Sequence, residues 1–139
     1  MRDFRKYDLT SFRKDLEELH IHLTEEQEER FLSFYELLVE WNEVMNLTAI
    51  TEFDEVIKKH FVDSLSLVKA IPELEEKFLS GKASGGRTFT LIDVGTGAGF
   101  PGIPLKIAFP HIKLPLLDSL NKRIRFLEDV CTALKFTDV

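Results

Sequence analysis

Residues Leu91 to Leu105 read LIDVGTGAGFPGIPL: a hydrophobic run ending in an acid, four glycines at positions 95, 97, 99 and 102, and then a helix-compatible stretch. Glycine lets a backbone turn through positive φ, and without a Cβ it lets a ligand lie directly against the main chain where a strand hands over to a helix. The helix that follows aims its free N–H groups at whatever sits in the turn. The stretch therefore predicts a strand, a ligand-holding turn and a helix, the first unit of an α/β fold.

Spacing separates three classes of ligand for such a turn. A phosphate-cradling Walker loop needs Lys and Ser/Thr after its last glycine, whereas Gly102 is followed by Ile103 and Pro104. A dinucleotide fingerprint G-x-G-x-x-G does fit at Gly97, Gly99 and Gly102, with Asp118 placed where a ribose-binding acid is expected. The third pattern, D-x-G-x-G-x-G over Asp93, Gly95, Gly97 and Gly99, resembles the first-strand motif of S-adenosylmethionine-dependent methyltransferases. Asp93 favours this last class, because an acid there would repel a pyrophosphate but can accept hydrogen bonds from the amino group of a methionine moiety. Asp118 suits the ribose of either cofactor. A nicotinamide-dependent oxidoreductase therefore stays open as an alternative, as does a non-enzymatic scaffold that holds a partner through an exposed sheet edge.

Outward from this motif the pattern alternates. Strand Phe89 to Val94, helix Pro101 to Phe109, strand Ile112 to Leu117 and helix Leu120 to Leu134 form a β-α-β-α series, which implies a parallel, doubly wound sheet. In the last helix Leu120, Ile124, Leu127, Cys131 and Leu134 share a face expected to meet the sheet, while Lys122, Arg123, Arg125, Glu128 and Asp129 face outward. Pro101 and Pro104 fit a first helical turn, but Pro115 deletes a ladder bond from its strand.

Upstream the sequence is helical. A helix is expected around Ser11 to Leu19, and a long amphipathic one follows Thr24, with Thr24 and Gln27 matching a capping box and Phe31, Phe34, Leu38, Trp41 and Met45 on one stripe. A further helix near Thr51 groups Phe53, Val56, Ile57, His60, Phe61, Ser64 and Val68. The segment SGKASGGR, residues 80 to 87, marks a boundary, giving a helical region at 1–80 and the first half of an α/β domain at 88–139. Two strands do not complete a parallel sheet, so the chain is expected to be C-terminally truncated or covered by a partner at its edge.

Composition narrows the class. With 139 residues, 44% hydrophobic, the chain can bury one ordinary core. No apolar run approaches the roughly 20 residues of a membrane span, and the charged start MRDFRKYD lacks a signal-peptide core, so a soluble, cytoplasmic protein is expected. Cys131 reads as a structural thiol, and no metal-ligating cluster of Cys or His is evident. The net charge of −6 argues against a whole-surface nucleic-acid binder but leaves basic patches at the N-terminus, at Lys58 and Lys59, and at Lys122, Arg123 and Arg125. His60 and Asp63, three apart, read as a structural contact rather than an acid–base pair, and Trp41 as core rather than a base-stacking platform.

With WNEVMNLTAI, KKHFVDSL, DVGTGAGFPGIPL and LLDSLNKRIRFL considered together, the chain resembles the bacterial small-subunit ribosomal RNA methyltransferase G family, also called glucose-inhibited division protein B, from about Thr24 to the end. The resemblance implies a Rossmann-like fold behind N-terminal helices and methylation of a guanine ring nitrogen, N7, in 16S ribosomal RNA with S-adenosylmethionine as donor. Ribosomal RNA or the small ribosomal subunit is the implied partner. It also implies a cofactor site made by Gly95 and Phe100, with Gly97 and Gly99 as its floor, Asp93 and Asp118 as its acids and Ser119 beside the ribose. Lys122 and Arg123, which follow the second acid, are the first candidates for RNA contact. The family's later motifs, for adenine and target guanine, have no counterpart in these residues, and no catalytic side chain is assigned.

Overall fold

In the computed structural model the described residues are 6–70, 90–94, 96–110, 112–118, 120–136 and 139. The expected 80–87 boundary, Gly95, Ser119, and Arg2 and Arg5 of the N-terminal basic cluster lie outside them. Helix α1 spans Thr10–Glu18 and buries Phe12 and Leu16. Helix α2, Glu25–Met45, begins at a complete capping box: the Thr24 side chain accepts from the Gln27 N–H and the Gln27 side chain accepts from the Thr24 N–H. Two otherwise unpaired donors are thereby satisfied, and the acids Glu25, Glu26 and Glu28 in the first turn oppose the positive end of the helix dipole. Gln27 also donates to the carbonyls of Ile107 and Ala108, tying α2 to the end of a helix 80 residues away.

The segment after Thr51 is helical but not uniform. Short α-helical pieces α3 (Phe53–Val56), α4 (Asp63–Leu65) and α5 (Leu67–Ala70) flank a six-residue π-helix, Ile57–Val62. Val56, Ile57, Phe61 and Ser64 are buried as the pattern predicts, and Leu65 joins them. The side chain of Val68 lies outside the described set.

The α/β part keeps the expected order with much shorter strands. Strands β1 (Asp93–Val94) and β2 (Leu116–Leu117) pair in parallel, Asp93 opposite Leu116 and Val94 opposite Leu117, and an isolated bridge joins Thr90 to Lys113 in the same register. Six-residue strands are not formed because Pro115 sits inside the second. The Leu91 and Asp93 N–H groups reach the carbonyls of Lys113 and Pro115, but Pro115 has no N–H to return. Helix α6, Gly102–Ala108, packs against α2 and α4, and helix α7, Asn121–Ala133, packs against α2. Lys106 of α6, 2% exposed, donates to the carbonyls of Pro110 and Ile112 and so closes the turn into the second strand segment.

The buried stripe of α7 departs from the expectation. Leu120 is 47% exposed and precedes the helix, Ile124 and Cys131 are half-buried, and the buried positions are Phe126, Leu127 and Val130, with Leu134 just beyond the end. The helix turns Phe126 toward Phe34 and Trp41 of α2, so the helical region supplies the wall that the sequence assigned to the sheet. One continuous core results, running from Leu9 through Phe31, Phe34 and Phe61 to Ile103, Ile107, Phe126 and Leu134. The face of the short sheet that carries Ile92, Val94 and Leu117 is exposed.

Phe34 is fully buried and touches rings from the π-helix, the glycine turn and α7. Phe34→Ala is expected to destabilise the chain by about 3–5 kcal/mol, and Phe34→Leu by less than half of that, read as the shift in midpoint of a urea titration followed by circular dichroism.

Candidate cofactor site

The turn between β1 and α6 is held by its two acids. Asp93 Oδ2 accepts from the Thr96 hydroxyl at 2.8 Å and from the Gly102 N–H at 3.0 Å, which caps the start of α6. Both bonds fall on one oxygen, leaving Oδ1 without a hydrogen-bond partner among the described residues. Asp118 Oδ2 accepts from the Gly97 N–H at 2.8 Å, Oδ1 accepts from the Leu120 N–H at 2.9 Å, and the Arg123 guanidinium stands 3.6 Å from Oδ1. The Leu120 N–H, then the Gly97 N–H and Arg123, hold the Asp118 carboxyl below the usual carboxylate range against the opposing effect of burial.

The glycines divide by role. Gly97 has φ +59° and open space where a Cβ would stand, so it provides both the left-handed turn and room for a ligand against the backbone. Gly99, at φ +92°, lies so close to Ile103 that a Cβ would approach its Cγ1 to 2.6 Å. Gly102 lets α6 approach β1 and β2, since a Cβ there would meet Asp93 Oδ2 at 2.8 Å and Leu116 at 2.9 Å. Thus Gly97 shapes the ligand side of the turn, while Gly99 and Gly102 permit its packing.

Phe100 is half-buried. Its ring stacks on His60, with centroids 4.4 Å apart and 15° between planes, and also meets Phe34 and Phe61. No hydrogen bond or ion pair joins His60 to Asp63 among the described residues, though the Asp63 charge acts on the ring; its Nε2 lies 3.0 Å from the Thr48 hydroxyl. Burial pushes its imidazole down in pKa, with the Asp63 charge opposing, so the ring is neutral at pH 7. Trp41 packs edge-on against Phe126 and donates to Asp129, as befits a core residue with a polar rim. Lys122 and Arg123 are both exposed at the start of α7, beside Asp118. Cys131 is half-buried, and burial together with Glu128 pushes its thiol up to about 11, which suits an inert thiol.

Sequence reasoning did not find the His60–Phe100 stack, the double use of Asp93, or the buried Lys106. The first had a signal in KKHFVDSL, whose aromatic and histidine fall on the face toward the core; the others depend on distances between segments.

A family model described as rRNA small subunit methyltransferase G, GidB, matches residues 27–139. The chain belongs to that family. Proteins named Ribosomal RNA small subunit methyltransferase G from Lachnoclostridium phytofermentans and Alkaliphilus metalliredigens are 49% and 51% identical over 132 and 123 residues, covering 95% and 88% of this chain. A third, from Caldanaerobacter subterraneus subsp. tengcongensis, is 52% identical over 111 residues. The chain spans about half the length of these relatives: 50%, 46% and 41% of them are covered. Among the described residues no helix is long and apolar enough to cross a membrane, and no group of three or more His, Cys, Asp or Glu is placed to hold a metal ion.

Because its pKa is lowered on folding, Asp118 contributes stability that is present above the unfolded value of about 3.9 and lost as pH falls through the folded value. Asp118→Asn is therefore expected to be less stable than the parent chain at pH 7, with the difference shrinking below about pH 4. Thermal unfolding of both chains between pH 3 and pH 7 checks this; a difference independent of pH would assign the loss to packing.

Proposed function

We propose that this chain carries the cofactor-binding half of an S-adenosylmethionine-dependent methyltransferase, with an incomplete Rossmann-like sheet, that methylates guanine N7 in 16S ribosomal RNA. The observation that carries the reading is Asp93: an acid in β1, one oxygen tied to the turn and the other without a hydrogen bond among the described residues, in a turn where Gly97 leaves open space at its Cβ position. That free carboxylate acceptor fits the N–H donors of a methionine amino group and repels a pyrophosphate. The family membership and the relatives' names support an rRNA substrate. On this reading the protein is assigned to the cytoplasm, where ribosomal RNA and the small subunit would be its partners.

When bound, the sulfonium cofactor supplies an electrophilic methyl group. Asp93 would hold the amino end of the cofactor, Gly97 and Gly99 would keep the main chain clear of it, and Phe100 would form a wall; Gly95 and Ser119 are assigned to the same site by family resemblance. Asp118 is nearly closed off, its side chain 2% exposed, so its engagement of ribose hydroxyls requires Gly97 to release Oδ2. Guanine N7 presents a lone pair and no proton, so no general base is needed, and rate comes from alignment of that nitrogen with the methyl group. Lys122 and Arg123 are assigned to RNA phosphates, Arg123 after exchange of its contact with Asp118.

Calorimetric titration of the chain with S-adenosylhomocysteine, beside an identical titration with NAD, tests the cofactor. Saturable binding of the first alone, weakened at least about tenfold by Asp93→Ala, is expected, the loss of a charge-assisted hydrogen bond in a partly buried site. Binding of NAD alone, or improved by Asp93→Ala, would return the site to the dinucleotide class. Lys122→Ala is expected to weaken binding of a short rRNA fragment and to reduce the salt slope by about one, measured by fluorescence anisotropy at several salt concentrations.

A further inference from the structure

The segment KKHFVDSL, residues 58–65, touches the cofactor turn only through the His60–Phe100 stack, and most of it lies in a π-helix. Runs of i→i+5 hydrogen bonds are rare, and those that occur concentrate at functional sites. Here the π-helix Ile57–Val62 seats Phe61 in the core and lays His60 flat on Phe100, where Thr48 fixes the ring edge. Thr48 is itself oriented by the Ile50 N–H, which donates to its hydroxyl.

Against this stack lies a cleft of about 480 Å³, lined by Lys59, His60, Asp63, Ser66, Phe100 and Pro101 among others. Its volume is in the range of small-ligand sites. The two serines are occupied: Ser64 donates to the His60 carbonyl and Ser66 to the Asp63 carbonyl. Among the described residues that line the cleft, the charged groups are Lys59 and Asp63. Asp63 has no ion pair or side-chain hydrogen bond among the described residues, and Lys59 has only a long, exposed contact of 3.9 Å to Glu55. A flat aromatic wall, a carboxylate and a cation at the rim together match one nucleotide: a base to stack, paired N–H donors for the carboxylate, and a phosphate for the cation.

Guanine is the base that meets these terms. Its Watson–Crick edge offers N1–H and N2–H side by side, whereas adenine presents a lone pair at N1, which a carboxylate repels. We propose that the cleft is the acceptor subsite, taking an unstacked guanine beside the His60–Phe100 wall with Asp63 accepting from N1–H and N2–H and Lys59 meeting the phosphate. Reading that edge leaves N7, on the other ring, free to react. Phe100 is then shared between the cofactor turn and the acceptor, with His60 as the positioning residue that holds it. The link to methyl transfer rests on the function proposed above; nucleotide binding does not.

The test is an amide-resolved NMR titration of the 139-residue chain with guanosine, inosine and adenosine 5′-monophosphates, and separately with S-adenosylhomocysteine. Guanosine monophosphate is expected to perturb amides of residues 59–67 and 100 and to bind at least about tenfold more tightly than adenosine monophosphate, as paired base-edge contacts discriminate. Inosine monophosphate, lacking the N2 amino group, should fall between them. Asp63→Asn should erase the preference for guanine while keeping the parent response to S-adenosylhomocysteine, and His60→Ala should weaken all three nucleotides. Equal affinity for guanine and adenine, an unchanged Asp63→Asn, shifts confined to other surfaces, or no binding would each overturn the subsite. A chain that binds guanosine monophosphate here but not S-adenosylhomocysteine would overturn the methyltransferase reading and leave the subsite standing; the reverse result would do the opposite.

Discussion

The ring of Phe34 is the point through which the two halves of the sequence depend on each other. It is fully buried in α2, stacks on Phe61 of the π-helix, meets Phe100 of the glycine turn and faces Phe126 of α7. Burial of one such ring is worth about 1.5–3 kcal/mol, with more from ring geometry at each contact. The sheet is too short to supply that support, since two strands of two residues cannot brace a helix from below. The helical region therefore acts as the second wall of the α/β unit, and the position of Phe100 is inherited from it.

A second constraint is the use of acids as struts. Asp93 and Asp118, the acids of the proposed cofactor site, both hold the turn through backbone N–H groups of Gly97, Gly102 and Leu120. Bonds to backbone donors cost little entropy and leave lone pairs over, so one carboxylate can shape a loop and still receive a ligand. The two differ in reserve. Asp93 keeps an oxygen clear, whereas Asp118 is closed over by Gly97, so on the proposed function the first acid would receive its ligand as it stands and the second only after a shift of the turn.

The helices were legible because their signals are local. The Thr24–Gln27 capping box and the apolar stripe of α2 are contained within a few turns; the box forms as read, and of the stripe Phe31, Phe34 and Leu38 are buried while Trp41 and Met45 are half-buried and Leu32 and Leu37 join the core. The strands were legible in place but not in length, because the consequence of Pro115 is a bond missing from a neighbouring segment. The stripe of α7 was misread by about one position: Phe126 and Val130 are buried and Leu120 is exposed, since the partner that selects the buried face is α2 and not the sheet.

At the site the same division holds. The sequence alone determined that a strand ends in an acid and hands over through glycines to a helix, because positive φ, missing Cβ atoms and missing N–H groups are properties of single residues in order. Only the tertiary structure decided which oxygen of Asp93 is engaged, that Asp118 is closed by Gly97, and that His60 lies on Phe100 with Thr48 at its edge. Each of those outcomes is a distance between segments far apart in the chain, set by how the core packs, and no local pattern encodes it.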